Sequence, residues 1–214
     1  MTNFAAAADG RVGSAARGVN LPPPPKTNAM SLDEALAKRR SVRDFAAGTL
    51  TMAEVALLVW SAQGVTNPEG RTTPSAGATC PLEVYVAAGE VDGLTDGVYR
   101  YVPDLHRLEP VADGDIRVRL AAAALDQQWI SQAAMVVVIA AVFERTISRY
   151  GKRGECYVHL EVGHAAQNLL LQATALRLGA APVGAFNDLE ISRLLRLPVG
   201  EVPLYLVPVG RVFK

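Results

Sequence analysis

Three arginines and one serine lie within five residues of one another, in the segment Arg39-Arg40-Ser41-Val42-Arg43. A guanidinium group can bind a phosphate through two parallel hydrogen bonds, and the serine hydroxyl adds a further donor. The segment therefore predicts an anion-binding site. A solvated basic helix end that complements the helix dipole is the alternative interpretation, which the segment alone does not exclude.

Two other segments consist largely of small residues, which allow backbone amides to approach a ligand closely. Pro74-Ser75-Ala76-Gly77-Ala78 lies in a Gly/Pro/Thr/Ser-rich stretch, residues 66–79, that we expect to be a loop. Pro182-Val183-Gly184-Ala185-Phe186 follows a predicted long helix, and Gly210-Arg211 adds an arginine after an apolar strand. Such segments are common, so each is weak evidence of a ligand site on its own.

Metal chemistry has one candidate pair, Glu161 and His164, in the Glu-x-x-His spacing that di-iron carboxylate proteins use. Those centres need two such pairs and further glutamates, whereas this chain has one pair, with His106 and His159 as its other histidines. We expect no metal site and interpret His164 as an interior or interface histidine. The chain also lacks the Gly-x-Gly-x-x-Gly, Walker and Gly-x-Ser-x-Gly patterns of Rossmann dehydrogenases, P-loop NTPases and α/β-hydrolases.

The composition argues against several kinds of partner. The 214 residues include 21 basic and 21 acidic side chains, mixed along the chain, so no basic surface is predicted for nucleic acid or an anionic membrane. The longest apolar run, residues 133–143, is far shorter than the roughly 20 residues of a membrane helix. Cys80 and Cys156 are not in a Cys-x-x-Cys motif and are expected to be free thiols. We expect a soluble, cytoplasmic protein.

The pattern of apolar residues predicts an arm followed by one domain. Residues 1–30 are expected to form a flexible arm rich in Pro, Ala and Gly, and residues 31–214 the domain. Capping boxes at Ser31/Glu34 and Thr51/Glu54 open the first two predicted helices. The helices are expected at residues 31–39, 51–64, 115–125, 155–178 and 188–195.

Strands are expected at residues 82–88, 135–142 and 203–212, with a hairpin formed by 97–101 and 107–109. The run 135–142 is apolar throughout, which predicts a central strand buried on both faces. Helix 155–178 is apolar nearly all round, so it belongs in the core or a dimer interface, and Gly179 is expected to end it as a left-handed cap. The fold class is α+β, with a central, mostly antiparallel sheet flanked by helices.

Taken in order along the chain, these segments resemble the flavin-dependent nitroreductase family, and within it the SagB-type dehydrogenases. The matching segments are residues 39–45, 74–78, 97–101, 127–129, 161–169, 182–186 and 208–211. The resemblance implies a nitroreductase-like fold and a homodimer that binds FMN at two sites between its subunits. The cofactor-binding residues that it implies are Arg39, Arg40, Ser41, Arg43, Pro74, Ser75, Ala76, Gly77, Gln127, Pro182, Val183, Gly184, Ala185, Gly210 and Arg211.

The resemblance also implies a role for each part of the site. Arg39, Ser41, Arg43 and Arg211 would hold the phosphate, the ribityl chain and the pyrimidine edge. Residues 74–77 would come from the partner subunit and line the ring, and the backbone of Gly184 and Ala185 would face the flavin N5. Several nitroreductases carry an asparagine for the pyrimidine edge at the position of Ala78, so here that contact is missing or made by the backbone.

The function implied by the resemblance is an FMN-dependent oxidoreductase. It would pass electrons from NADH or NADPH to a small acceptor such as a nitroaromatic or a quinone, with ping-pong kinetics and a substrate pocket near Trp129, Tyr150 and Phe186. No catalytic side chain is required, because the cofactor carries the chemistry. Two alternatives stay open: a SagB-like dehydrogenase that oxidises thiazoline or oxazoline rings in a modified peptide, and a non-catalytic flavin-binding dimer.

Overall fold

The computed structural model describes residues 18–24, 30–67 and 70–213. Most of the predicted arm, residues 1–17 and 25–29, lies outside the described residues. Within the described part of the arm, β1 (Val19–Asn20) pairs antiparallel with Leu108 and Arg107. This short stretch is therefore an edge strand of the main sheet.

The remaining elements of the described residues follow in chain order. The helices are α1 (Leu32–Lys38), α2 (Met52–Gln63), α3 (Arg117–Ala123), α4 (Glu144–Tyr150), α5 (Arg153–Ala175) and α6 (Asp188–Leu194). Short 3-10 turns lie at Ala76–Ala78, Pro103–Leu105 and Gln128–Gln132. The strands after β1 are β2 (Val65–Asn67), β3 (Gly70–Arg71), β4 (Leu82–Ala88), β5 (Gly97–Val102), β6 (Arg107–Asp113), β7 (Met135–Val142), β8 (Leu178–Ala180) and β9 (Glu201–Arg211).

The main sheet has the strand order β1-β6-β5-β4-β7-β9-β8, and neighbouring strands pair antiparallel throughout. β7 lies inside it between β4 and β9, and its first seven residues are buried. Both results confirm the predicted α+β fold with a buried central strand. β2 and β3 pair antiparallel in a separate two-stranded sheet, so the predicted loop at residues 66–79 is wrong in its first part.

The alternation of side chains along β7 separates two apolar cores. Val137 and Ile139 face the core that contains α2 and α5, whereas Val136 and Val138 face the core that contains α3 and α6. The sheet is therefore covered by helices on both faces.

The predicted end of the long helix is wrong. α5 begins two residues earlier than expected, at Arg153, and ends at Ala175, while Gly179 lies in β8. The residue with positive φ after the helix is Arg177, at 59°. Because residues 176–180 are as apolar as the helix, the composition alone cannot separate a helix end from a short buried strand.

Smaller differences between the prediction and the structure concern helix caps and the ends of helices and strands. Thr51 and Glu54 form the predicted reciprocal capping box. Ser31 accepts the Glu34 N–H at 3.2 Å, but the Glu34 carboxylate pairs with Lys38, so only half of the first box forms. Other bounds shift by a few residues, with α3 shorter than expected, β6 longer and β9 beginning at residue 201.

Two further observations concern the whole described chain. Both cysteines are free thiols, as expected. Across residues 18–24, 30–67 and 70–213, no helix combines the length and the apolar character needed to cross a membrane.

The corner between α4 and α5 depends on a glycine. A Cβ on Gly154 would lie 2.9 Å from the Cα and the N of Ile147, which are backbone atoms that cannot rotate away. This close approach places α4 against the loop at residues 74–79, where Thr146 shares a 2.8 Å hydrogen bond with Thr79 and Arg149 donates to the Gly77 carbonyl at 2.8 Å.

We expect Gly154→Ala to lower the free energy of unfolding by about 1–3 kcal/mol, the usual cost of overpacking. Gly163→Ala is the matched control, because it lies in the same helix and an added Cβ there meets no atom within 4 Å. Urea denaturation of both variants compares them directly. Equal stabilities would show that the α4–α5 contact is not tight.

Candidate functional site

The arginine-rich segment runs in extended conformation beside the sheet edge formed by β8. Ser41 pairs with Ala180 in a parallel bridge, and the Val42 N–H donates to the Ala180 carbonyl at 3.0 Å. Alternate residues of an extended segment point to opposite sides. Arg39, Ser41 and Arg43 therefore share one side of the segment.

Arg40 belongs to the other side. Its Nη1 donates to the carbonyls of Ala37 and Arg39, both at 2.8 Å, so its guanidinium caps the end of α1. Arg40 also lines a cavity of about 290 Å³ together with Val42 and Arg177. The structure thus separates Arg40 from the other predicted anion-binding residues.

Arg43 is positioned by an aromatic side chain. Its guanidinium lies 5.7 Å from the ring centroid of Trp129, which is in the turn Gln128–Gln132. The buried ring of Phe45 lies 6.3 Å from the Trp129 ring. Within the described residues neither Arg39 nor Arg43 forms an ion pair. The indole therefore orients the Arg43 guanidinium, and among the described residues no hydrogen bond or ion pair uses its donors.

The segment after β8 presents open backbone amides. Val183 exchanges two backbone hydrogen bonds with Leu206, at 2.7 and 3.0 Å, and continues the sheet edge. Gly184 and Ala185 are exposed, and their N–H groups donate to no backbone carbonyl of the described residues. Gln127 donates to the Ala185 carbonyl at 3.2 Å, which joins this segment to the turn that carries Trp129.

A cavity of about 390 Å³ opens beside Gly184, with His159, Gly163 and Tyr205 among its lining residues. A Cβ on Gly184 would approach the Tyr205 ring to 3.3 Å. The absence of a side chain therefore keeps the backbone at this position accessible. Pro182 precedes this exposed turn and is half-buried.

Arg211 is occupied within the chain. Its Nη1 and Nη2 bind the two carboxylate oxygens of Glu54 at 2.7 and 2.8 Å, and its Nε and Nη2 donate to the Thr49 carbonyl at 3.0 and 2.8 Å. Burial alone would raise the pKa of Glu54, but the hydrogen bonds from Arg211 and Thr51 outweigh it and lower the pKa. A phosphate at Arg211 would have to displace Glu54. Gly210 allows Phe45 to pack against it, since a Cβ there would lie 2.9 Å from the ring.

The loop at residues 74–78 is held from α4 and α5. Ser75 Oγ accepts the Cys80 N–H at 2.9 Å, and Asn168 Nδ2 donates to the Thr72 carbonyl at 3.1 Å. Pro74 and Gly77 are exposed, and Gly77 has a φ of 60°. In the described residues no hydrogen bond, ion pair or ring contact joins this loop to residues 39–45 or 182–186. Within one chain, the structure does not bring the two parts of the predicted site together.

Glu161 and His164 differ in their exposure to solvent. Glu161 is 3% exposed and His164 is exposed. Burial raises the pKa of Glu161 to about 7, although a hydrogen bond from Ser75 and the charge of Arg71 act in the opposite direction. Among the described residues, no group of three or more His, Cys, Asp or Glu side chains could hold a metal.

The aromatic residues expected around the substrate lie in two separate parts of the chain's structure. Trp129 and Phe186 pack against the core that contains α3 and α6, whereas Tyr150 lies beside Gly77. Sequence reasoning missed the ion pair of Glu54 with Arg211 and the burial of Glu161. The capping box identified Glu54 as a helix-start residue, but no local pattern indicates a partner 157 residues away.

Comparison with known proteins identifies the family. The model of the Nitroreductase family matches residues 36–211, which is most of the chain. The chain therefore belongs to the nitroreductase family, whose members are generally flavin oxidoreductases.

Individual relatives agree with this assignment. A Methanocaldococcus jannaschii protein, provisionally named a nitroreductase, is 47% identical over 188 residues, which cover 87% of this chain and 94% of that protein. A crystal structure from Ralstonia eutropha, provisionally described as a nitroreductase, has a TM-score of 0.82 at 29% identity, covering 95% of this chain and 93% of that one. The microcin B17-processing protein McbC of Escherichia coli is 26% identical over 132 residues, 59% of this chain and 48% of that protein. The nitroreductase-like fold is thus confirmed.

The ion pair of Glu54 with Arg211 should stabilise the fold in a pH-dependent way. Because the fold lowers the pKa of Glu54 below its usual 4.5, the stabilisation is present above that value and is lost as the pH falls through the lowered pKa. We expect Glu54→Gln to cost about 1–2 kcal/mol at pH 7. Denaturation at pH 7 and pH 3 should show the difference from the unmodified protein shrinking in acid.

Glu34→Gln is the matched control, since Glu34 pairs with Lys38 on the exposed surface of α1. We expect it to leave the stability nearly unchanged at either pH, because water and salt screen an exposed ion pair. A gap for Glu54→Gln that is equally large at pH 3 would contradict the electrostatic explanation.

Proposed function

We propose that the chain is an FMN-dependent oxidoreductase that takes electrons from NADH or NADPH and passes them to a small acceptor such as a nitroaromatic or a quinone. The observation that carries this proposal is the edge of β8. There, guanidinium groups without ion-pair partners in the described residues share one strand edge with the open amides of Gly184 and Ala185. Bound FMN supplies hydride transfer, so the protein has to bind, orient and shield it.

The hydrogen-bond donors beside β8 fit a ligand that has an anionic tail attached to a flat ring, as FMN has. Arg39 and Arg43 carry hydrogen-bond donors that match a phosphate, and Ser41 adds a hydroxyl between them. Because Trp129 restrains Arg43, little side-chain freedom is lost when an anion binds. Arg211 joins this set only if the phosphate competes with Glu54.

The backbone of Gly184 and Ala185 fits a different part of the same ligand. Preorganised N–H groups stabilise an electron-rich heteroatom without any reorganisation when charge develops there. Gln127 fixes the Ala185 carbonyl, and Val183 is fixed by β9, so the turn between them is held from both ends. We infer that Pro182, Val183 and Gln127 act mainly as supports of this turn.

We infer that the loop at Pro74, Ser75, Ala76 and Gly77 serves the site of a second copy of the chain. No hydrogen bond, ion pair or ring contact of the described residues joins it to residues 39–45 or 182–186 of its own chain, and Pro74 and Gly77 are exposed. One face of α5 is also open, because Leu160 is 54% exposed and Gly163 and Gln167 are exposed. We infer a homodimer that covers this face and brings the loop of each subunit to the other's site.

A second candidate function is the oxidation of azoline rings in a modified peptide. The similarity to McbC favours it, although this chain spans about half the length of that protein. The two functions differ in their electron donor. A peptide dehydrogenase reduces its flavin with the peptide, whereas the proposed reductase uses NADH or NADPH.

We expect Arg43→Ala to weaken FMN binding by about 10- to 100-fold, because it removes a charge-assisted contact with the phosphate. Arg40→Ala is the matched control: it removes the same charge from the same segment, but its guanidinium caps α1 on the opposite side. Flavin fluorescence titration measures both affinities. A loss of affinity that is the same in the two variants would mean that only net charge matters.

The electron donor can be tested on the purified protein loaded with FMN. We expect NADH or NADPH, added in the absence of oxygen, to bleach the flavin absorbance band at the rate of an enzymatic turnover. A quinone added afterwards should restore the band. A yellow protein that neither nucleotide bleaches would favour the peptide dehydrogenase or the non-catalytic dimer. Failure to bind FMN at all would remove the proposed function.

A further inference from the structure

A cavity beside the start of β8 is lined by three basic side chains. Its volume is about 290 Å³, and Lys38, Arg40 and Arg177 line it together with Thr174 and apolar residues. Among the described residues, no acidic side chain lines it. Because like charges repel one another, this lining favours an anion that offsets them.

A glycine in β8 fixes the apolar part of the cavity. A Cβ on Gly179 would lie 2.7 Å from Val42 Cγ1 and 2.9 Å from Val212 Cγ1, so both valines pack directly over the β8 backbone. Both valines also line the cavity. Arg40 lies two residues before Val42 in the extended segment and therefore shares its side. The packing thus directs Arg40 to the cavity and away from Arg43.

The basic side chains could instead serve to cap the two helices that end here. A helix end carries a negative charge of about half a unit, which attracts cations. Arg40 does cap α1, because its Nη1 donates to two carbonyls at 2.8 Å each. The end of α5 is capped by its own backbone, since the Arg177 N–H donates to the Thr174 carbonyl at 2.9 Å. Capping therefore does not account for the Arg177 guanidinium.

All three basic side chains keep hydrogen-bond donors that the described residues do not use. The Arg177 guanidinium forms no hydrogen bond, ion pair or ring contact with them. Arg40 retains its Nε and Nη2, because only its Nη1 is engaged. Lys38 binds Glu34 at 2.5 Å, which uses one of the three donors of its ammonium group. Two guanidinium groups and one ammonium group therefore offer donors to the same cavity.

The arrangement of these donors fits a tetrahedral anion. They come from three parts of the chain: the end of α1, the extended segment at residues 39–43, and the junction between α5 and β8. The oxygens of a phosphate point in several directions, and guanidinium groups bind them through parallel hydrogen bonds. A carboxylate has only two oxygens in one plane. A volume of about 290 Å³ lies at the lower end of the range for ligand pockets, so a phosphate group fits and a larger attached group would extend into solvent.

We propose that Lys38, Arg40 and Arg177 form a second anion site, which binds a phosphate group. The phosphate is either free or the monoester group of a larger molecule. This inference goes beyond the proposed function, because it concerns the side of residues 39–43 that faces away from Arg43. An anion bound there offsets the repulsion among the basic residues that follow α1 and leaves the proposed flavin site open.

Phosphorus NMR measures binding to this cavity while FMN occupies its own site. The protein is saturated with FMN and titrated with inorganic phosphate at pH 8, with chloride replaced so that the ionic strength stays constant. The separate resonance of the FMN phosphate shows whether the added phosphate displaces the flavin. We expect saturable binding of one phosphate per chain, with the FMN resonance unchanged.

Two variants each remove one guanidinium group from the cavity. We expect Arg177→Gln and Arg40→Ala to weaken phosphate binding by about 5- to 20-fold each, because each loses a charge-assisted contact that water partly screens. Arg196→Gln is the matched control: Arg196 also follows a helix, has a φ of 51° against 59° for Arg177, and lies outside the cavity. It should bind phosphate like the unmodified protein.

Adenosine 2′-monophosphate distinguishes the two sources of the phosphate group, because it carries the phosphate as a monoester on a nucleoside. Binding tighter than that of inorganic phosphate, and weakened by Arg177→Gln, would identify a nucleotide as the ligand. Binding that is no tighter would identify free phosphate. Acetate is the comparator for charge alone and should bind at least about tenfold more weakly than phosphate.

Three results would overturn the site. They are the absence of saturable phosphate binding, equal affinities in Arg177→Gln and Arg196→Gln, and acetate binding as tight as that of phosphate. If the protein binds no FMN, the same titration is made on Arg43→Ala, which lacks donors of the proposed flavin site. Phosphate binding that still depends on Arg177 would then retain this second site although the proposed function fails.

Discussion

β7 is paired on both edges and buried on both faces, and the rest of the structure depends on that constraint. Because every side chain from Met135 to Ala141 is buried, helices have to cover the sheet on both sides. β7 itself therefore offers no polar side chain to a ligand. The donors of the candidate site lie away from it, on β8, on the turn with Trp129 and in the loop at residues 74–78.

Sequence patterns predicted the elements that depend on local interactions. The apolar run of β7 and the capping box of Thr51 and Glu54 are each encoded within a few residues, and both were predicted correctly. The end of α5 was not, because the apolar residues of β8 continue the helix pattern without a break. The contact of Arg211 with Glu54 joins distant parts of the chain, and only the fold decides such a pairing.

The basic residues of the predicted site illustrate the same limit. Arg39, Arg40, Arg43 and Arg211 have the same chemistry in the sequence, yet the fold uses them differently. Arg40 satisfies carbonyls at the end of α1, Arg211 is bound by a carboxylate, and Arg43 rests against an indole ring. An aromatic face orients a guanidinium while leaving its N–H groups open, whereas a bidentate carboxylate uses them. Of these contacts, the one with Trp129 is the best suited to prepare an arginine for a phosphate.

α5 links the two halves of this arrangement. Asn168 binds the Thr72 carbonyl beside the loop, and β8 begins three residues after the helix ends. The loop and the sheet edge are both attached to α5. Because a long helix bends little, their positions relative to each other are fixed. In the homodimer proposed above, the loop and the edge of one chain would belong to different sites. A change at the loop anchor of one subunit would then act on the site whose sheet edge belongs to the other.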